Sequence, residues 1–193
     1  DKIKDYLSSH KVKVIEIQRS VGYANRDTLS IEKLANVCKL IKSVSPETII
    51  MVDNCYCEFV STEEPLSVGA DIMVGSLIKN LGAGIASTGA YIVGRADLVH
   101  LCSERLTAPG EGKEIGPSLG INRSFLQGIY MAPAAVISSI KTGMLASFIM
   151  ENLGYEVYPK YNDIRSDIVT RIIFNDKEKL IKFVQGIQGS SAV

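Results

Sequence analysis

The sequence predicts an α/β fold built on a mainly parallel sheet. Short apolar runs alternate with amphipathic helical segments, and polar loops containing Gly, Ser or Pro separate them. The runs at 48–53 and 71–76 are continuously apolar, as expected of parallel strands buried on both faces. Of the 193 residues, 46% are hydrophobic and 22% charged, which is typical of a globular protein with a core.

The first elements form a crossover unit. Residues 11–18 alternate like a strand and are followed by a polar loop. Ser30 can cap a helix whose apolar side chains recur at helical spacing over 31–41, and residues 48–53 then form a buried strand. A strand, a helix and a second strand in this order build a parallel sheet.

The middle of the chain repeats the pattern with shorter connections. A short helical or turn segment precedes apolar runs at 71–76 and 89–94, and residues 95–106 have a helical pattern. Residues 108–120 form a long loop rich in Gly and Pro, which makes them a candidate functional or interface loop. A long helical stretch follows over 123–154, with Pro133 as a kink or boundary.

The end of the chain predicts a second, smaller α/β domain. Residues 166–174 resemble a strand, and residues 177–188 resemble a helix. We therefore expect a large domain over 1–140 and the start of a small domain over 141–193. We also expect a part of a longer polypeptide, since the chain opens on Asp1 without an initiator Met and closes after an unfinished helix.

Charge and cysteine content argue against several classes of function. Lys plus Arg and Asp plus Glu both number 21, so the basic excess of a nucleic-acid partner is absent. No uninterrupted apolar run reaches the roughly 18 residues of a membrane span. We therefore predict no membrane segment. We also predict a reducing cytoplasm and no metal site. The four cysteines and two histidines lack the spacing of metal ligands: Cys38, Cys55, Cys57, Cys102, His10 and His100.

A glycine-rich stretch at 82–89 suggests a dinucleotide-binding loop but fits that motif poorly. Gly82 and Gly84 supply the first two glycines, whereas Ser87 occupies the third position. No ribose-binding acid follows where the motif requires it. A tight turn is the better interpretation.

Asp53 and Lys79 each stand just past a buried apolar run. Carboxyl ends of parallel strands are where ligands bind in such folds. Either residue alone is ordinary, since an aspartate often caps a turn and a lysine often points into water. Together they match the needs of pyridoxal phosphate, which forms an imine with a lysine and needs a carboxylate to keep its ring nitrogen protonated.

Several ordered motifs resemble the methionine gamma-lyase-like group of pyridoxal-phosphate enzymes, often labelled aluminium resistance proteins. The resemblance covers the chain from about residue 11 to its end and lies in QRSVGY at 18–23, DNCYCEF at 53–59, GADIMVGSLIKN at 69–80, RLTAPGEG at 105–112 and QGIYMAP at 127–133. It implies the aspartate aminotransferase fold (fold type I). It also implies a small amino-acid substrate and a homodimer or homotetramer.

The resemblance assigns roles by position. It implies that Lys79 forms the imine, that Asp53 pairs with the pyridine nitrogen and that Ser76 contacts the cofactor phosphate. Arg19 follows a strand where related enzymes place a residue near the ring oxygen, although a salt bridge or a phosphate contact would serve equally well. Four further family positions have no assigned role: Tyr23, Arg26, Tyr56 and Glu58.

The sequence also departs from the family pattern. Cys57 stands where the close group has Gly, and Leu81, Ala83 and Ala90 stand in a loop that is usually richer in Gly. If those glycines adopt positive φ, an alanine costs about 1 kcal/mol.

The implied activity is a pyridoxal-phosphate-dependent lyase that breaks a carbon–sulfur bond of an amino acid through a Lys79 imine. Lysine must be partly neutral for this, so we expect its pKa to fall below the ordinary value of about 10.4. The altered glycines keep an alternative open, a catalytically silent member with a structural or binding role. Another reaction of the same cofactor, such as transsulfuration, also stays open.

Overall fold

The computed structural model describes residues 2–116 and 119–191, so two residues of the predicted 108–120 loop lie outside the described residues. The chain divides into two compact units. The first runs to Ser138 and also contains Ser166–Ile168, and the second contains Ser139–Arg165 and the residues from Val169 onward. The predicted domain division at residue 140 stays a prediction.

A four-stranded sheet forms the centre of the first unit. Its strands lie in the order β1–β2–β3–β4, with β1 parallel to β2 and β2 parallel to β3. Their bounds are Val14–Gln18, Ile49–Asp53, Ile72–Ser76 and Ala90–Gly94. The predicted mixed α/β fold with a mostly parallel sheet is confirmed.

Strand β4 runs antiparallel to β3. A parallel return needs a long crossover that usually contains an α-helix. The connection from β3 to β4 contains only the 3-10 turn Asn80–Gly82, so the chain reverses instead.

Helix α2, Ile31–Val44, packs its apolar side against the sheet. Ser30 caps it by accepting a hydrogen bond from the Lys33 backbone N–H at 3.3 Å, as predicted. The core of the first unit joins this helix to β2 and to helix α1, Lys2–Ser9, which the sequence analysis did not predict. Fully buried members of that core are Leu34, Cys38, Ile41, Ile50 and Val52.

Helix α3, Ala96–Ser103, follows β4, and the long helix α4, Asn122–Asn152, passes from the first unit into the second. The second unit continues with an antiparallel pair, β5 (Glu156–Tyr158) and β6 (Arg171–Ile173), and with helix α5, Lys177–Ser190.

The strand predicted over 166–174 is shorter than expected. Only Arg171–Ile173 pairs as a strand, because Ser166–Ile168 belongs to the first unit. There the backbone N–H of Ile168 donates to the carbonyl oxygen of Tyr56 at 3.1 Å.

Helix α4 qualifies by length and composition as a membrane span, since an 18-residue window has a mean hydropathy of 1.4. The sequence analysis predicted no span because no apolar run is uninterrupted. The helix remains continuous through Pro133, and the interruptions are mostly small or weakly polar residues that lower the average little. The core helix of a soluble protein passes the same test, so this is weak evidence for a membrane.

Asp71 connects α2, β2 and the end of β4. Its carboxylate accepts hydrogen bonds from Lys42 Nζ at 2.7 Å, from the Ile50 backbone N–H at 2.8 Å and from Arg95 Nη1 at 3.3 Å. Burial raises the pKa of Asp71, but these donors outweigh it and hold the pKa below its ordinary value. The carboxylate therefore stabilises the fold in its ionised form.

We expect Asp71→Asn to lower the free energy of unfolding at neutral pH by about 2–3 kcal/mol, because hydrogen bonds to a partly buried charge are lost. A lowered pKa means that this contribution is present above the ordinary carboxyl pKa and is lost as the pH falls through the folded-state value. Urea unfolding at neutral pH and below about pH 4 measures it. The matched control is Asp97→Asn, whose ion pair with Arg95 is exposed on both sides, so its loss should lower the free energy of unfolding far less. Equal losses in the two variants would contradict the prediction.

Candidate active site

The loops after β2 and β3 leave the same edge of the sheet. Because the two strands are parallel, with Asp53 opposite Val74, their carboxyl ends lie side by side. Asp53 is the last residue of β2 and Ser76 the last of β3, and Lys79 follows at the start of the 3-10 turn. The fold thus brings these three predicted site residues to one edge.

Cys55 lies between the predicted residues. Its backbone N–H donates to Asp53 Oδ1 at 3.0 Å. The side chains of Asp53 and Lys79 and the backbone of Ser76 lie near enough to affect the pKa of its thiol. Burial raises the pKa of the Cys55 thiol, and Asp53 raises it further, against the opposing effect of Lys79 and the Ser76 backbone. Cys55 is therefore a neutral thiol at neutral pH.

Cys55 is a site residue that the sequence analysis missed. The Cys-Tyr-Cys run was tested only as a metal site, although a residue placed two positions after Asp53 must lie at the same sheet edge. That position relative to Asp53 was the available signal.

The Lys79 amine is half-buried and lies over the ring of Tyr56, with Nζ 4.5 Å from the ring centroid. Burial lowers the pKa of Lys79, but interactions with Cys55, with Tyr56 and, last, with Asp53 outweigh it and raise the pKa above its ordinary value. At neutral pH Lys79 is an ammonium ion. The expected fall in its pKa is therefore not present in this state of the protein.

Tyr56 adopts a left-handed backbone conformation with φ +71°. Non-glycine residues adopt this region at a cost of about 1–2 kcal/mol, so the surrounding structure must impose it. The hydrogen bond from Ile168 to its carbonyl oxygen helps to fix the loop that places the Tyr56 ring under Lys79. Tyr56 is thus part of the site.

Arg19 is 1% exposed and lies in a polar network behind the site. Its guanidinium donates to Asn54 Oδ1 at 3.0 Å and to the Leu29 carbonyl oxygen at 3.1 Å, and it lies 3.9 Å from Glu64 Oε2. Of the roles left open for Arg19, these contacts favour the salt bridge. Its hydrogen bond to Asn54 supports the position of the residue that directly follows Asp53.

The other family positions differ in their surroundings. Ser76 Oγ accepts the Ile78 backbone N–H at 3.2 Å, and a hydroxyl in this arrangement can still donate. Arg26 donates to the Gln18 carbonyl oxygen at 2.8 Å and so braces the loop after β1, whereas Tyr23 is fully exposed. Glu58 is 2% exposed and faces the turn that follows Lys79.

Of the departures from the family pattern, Ala83 carries the backbone strain that the sequence analysis anticipated. Its φ is +49°, in the left-handed region, at the end of the 3-10 turn. Leu81 lies inside that turn and Ala90 in β4, and neither has a positive φ. Cys57 is completely buried, and burial raises the pKa of its thiol.

We expect Ala83→Gly to raise the free energy of unfolding by about 0.5–1 kcal/mol, because glycine adopts a left-handed conformation without the steric cost of a Cβ atom. The matched control in the same loop region is Ala90→Gly, which should lower it by about 0.5–1 kcal/mol because the extended backbone there suits alanine. Chemical denaturation of both variants checks the pair. A loss of stability in Ala83→Gly would show that the left-handed residue is not strained.

Comparisons with known proteins agree with this arrangement. A carbon-sulfur lyase involved in aluminum resistance from Clostridium novyi NT superimposes with a TM-score of 0.94 at 44% identity, covering 100% of this chain and 46% of that one. The uncharacterized protein YnbB of Bacillus subtilis (strain 168) is 44% identical over 95% of this chain and 44% of its own length. A cystathione gamma lyase (CalE6) from Micromonospora echinospora, at 21% identity and TM-score 0.58, covers 77% of this chain and 37% of that one and shares the fold alone.

By these similarities the chain is an α/β protein with the fold of carbon-sulfur lyases. The sequence model of the methionine gamma-lyase family matches residues 1–193, and the chain belongs to that family. The predicted family is thereby confirmed. The chain spans about half the length of the relatives named here.

Proposed function

We propose that the protein is a pyridoxal-phosphate-dependent lyase that eliminates a thiol from a sulfur-containing amino acid. The observation that supports this best is the position of Asp53, Ser76 and Lys79 at the adjacent carboxyl ends of β2 and β3. The C. novyi relative, named a carbon-sulfur lyase, supports the same reaction class. The aspartate aminotransferase-like fold type I is part of the proposal.

The donor set fits the cofactor. Lys79 offers an amine for the aldehyde carbon, Asp53 a carboxylate for the ring nitrogen and Ser76 a hydroxyl for the phosphate. All three follow the adjacent carboxyl ends of β2 and β3, which supports one shared site. When bound, pyridoxal phosphate supplies a ring that accepts the negative charge developing at the substrate Cα.

The chain's own residues then have separable tasks. Lys79 Nζ, once it has lost its proton, takes the proton from the substrate Cα as a general base. Asp53 keeps a proton on the ring nitrogen because a carboxylate stabilises a cation beside it. Arg19 acts from behind through Asn54, which follows Asp53 directly.

We expect Lys79→Ala to abolish both turnover and the borohydride-dependent covalent labelling of the protein by pyridoxal phosphate. The matched control is Lys33→Ala, which removes an exposed lysine on α2. Peptide mass spectrometry locates the label, and release of ammonia or an oxoacid from methionine, cysteine or cystathionine measures turnover. A visible absorbance band that borohydride still bleaches in Lys79→Ala would refute the assignment.

The strained Ala83 keeps the catalytically silent member as the second candidate function. A silent protein that retains its site would carry the Lys79 label but release no product from any of these amino acids. One that has lost the site would carry no label. Transsulfuration would give a new thioether in place of an oxoacid.

We further propose that the protein acts in the cytoplasm as a homodimer or homotetramer. Large apolar side chains are exposed along α4, which supports burial against another surface: Leu126, Tyr130, Leu145 and Phe148. Sedimentation of the protein at its natural length should give a dimer or tetramer, and a monomer would contradict this.

A further inference from the structure

Glu58 is a buried acid whose contacts leave one oxygen unmatched. Oε1 accepts a hydrogen bond from the Tyr91 hydroxyl at 2.8 Å, whereas Oε2 has no hydrogen-bond partner among the described residues. The residue is 2% exposed, so bulk solvent does not reach its carboxyl group. A buried carboxylate with an unmatched oxygen is unfavourable, and the neutral acid is favoured.

The backbone of Glu58 is joined to the turn that bears Lys79. Asn80 Nδ2 donates to the Glu58 carbonyl oxygen at 3.0 Å, and Asn80 follows Lys79 directly. Asn80 Oδ1 is also buried without a hydrogen-bond partner in the described part of the chain. The Glu58 and Asn80 side chains thus each hold one buried acceptor oxygen that is unmatched among the described residues.

Tyr91 joins Glu58 to the other end of the same segment. Tyr91 lies opposite Gly75 in the β3–β4 pair, and a Cβ atom on Gly75 would come within 2.5 Å of the tyrosine ring. The ring therefore covers the residue just before Ser76. Glu58 is connected to both ends of Gly75–Asn80, the segment that carries Lys79.

We propose that Glu58 is a positioning residue for Lys79: as a neutral acid it can stay buried and clamps the segment Gly75–Asn80, whereas its carboxylate, buried with one unmatched oxygen, favours an opening of the turn from which the lysine projects. Its importance for the reaction rests on the proposed function, but the clamp itself does not. Nothing in the proposed chemistry requires Glu58 to touch substrate or cofactor.

The groups around Glu58 determine the pH at which the clamp opens. Burial, with smaller contributions from the carboxylates of Glu64 and Asp53, raises the pKa of Glu58 to about 7 against the opposing effect of its own backbone and of the Tyr91 hydroxyl. The proton is therefore lost in the neutral range. Removing the Tyr91 hydroxyl removes a donor that favours the carboxylate, so the proton should then be held to higher pH.

The test is competitive acylation of lysines in the protein at its natural length, from about pH 5 to about pH 9. Peptide mass spectrometry gives the reactivity of Lys79 relative to the exposed Lys33, which cancels the general pH dependence of the reagent. In the wild type this ratio should rise as the pH passes about 7. In Glu58→Gln, which keeps a neutral side chain of the same shape, the rise should disappear, and in Tyr91→Phe its midpoint should move to higher pH.

Identical profiles in the wild type and Glu58→Gln would overturn the proposal, as would a midpoint in Tyr91→Phe that stays or falls. If Glu58→Gln fails to fold, the wild type and Tyr91→Phe still decide it. Acylation needs no cofactor, so a protein that pyridoxal phosphate does not label at Lys79 can still show the clamp. The two proposals therefore fail separately.

Thermal unfolding supplies an independent check on the proton. A folded-state pKa above the unfolded one means that stability is present at low pH and is lost as the pH rises through about 7. Wild type should therefore lose thermal stability relative to Glu58→Gln over this range. A constant difference between the two would show that Glu58 does not titrate there and would count against the clamp.

Discussion

The parallel pairing of β2 with β3 is the constraint on which the site depends. With Asp53 opposite Val74, both strands deliver their next residues to one edge. A shift of one residue along β2 would bring Asp53 to the completely buried position of Val52, which is unfavourable for a carboxylate. The β2 side chains Ile50 and Val52 are completely buried, so the core that fixes the strand also fixes where Asp53 ends it.

Behind that edge a polar network holds the loops in backbone conformations that are unfavourable for their residues on their own. Glu64 accepts from Asn54 Nδ2 at 2.8 Å and from the Phe59 backbone N–H at 3.1 Å, and Arg19 faces the same carboxylate. Tyr56 and Phe59 both have positive φ, at +71° and +61°. Buried charges that lose one partner are costly, so the network opposes relaxation of these residues. The network therefore contributes more to the conformation of these loops than to the free energy of unfolding.

Much of the first unit was predictable because its signals are local. The apolar runs gave β2 and β3 nearly to the residue, and Ser30 marked the start of α2. The direction of β4 was not predictable from its own residues, since it depends on what the preceding connection can span. The strand at 166–174 failed for a similar reason: Asp167 accepts a hydrogen bond from Ser20 Oγ at 2.7 Å, a contact across 147 positions.

The candidate site likewise contains residues that the sequence predicts and residues that it does not. Asp53, Ser76 and Lys79 could be predicted from their position after apolar runs and from family motifs, and the structure brings them together. The confirmed family supports their proposed roles without showing a bound cofactor. Tyr91 and Asn80 could not be found this way, because their contacts with the site depend on how two loops and an antiparallel strand meet.

The charge on Lys79 follows from the carboxylate that the proposed chemistry also uses. Asp53 favours the ammonium form of Lys79, and at neutral pH it is the charged member of the group around that amine, since Cys55 is a neutral thiol. A cation placed against Asp53 would offset this influence, and the burial of Lys79 would then act in the direction of a lower pKa. The same acid that keeps a ring nitrogen protonated would in doing so hold the lysine proton less strongly. Asp53 is one of three residues that raise the pKa of Lys79, after Cys55 and Tyr56, so a cation beside Asp53 would remove one part of the interaction that keeps the amine charged.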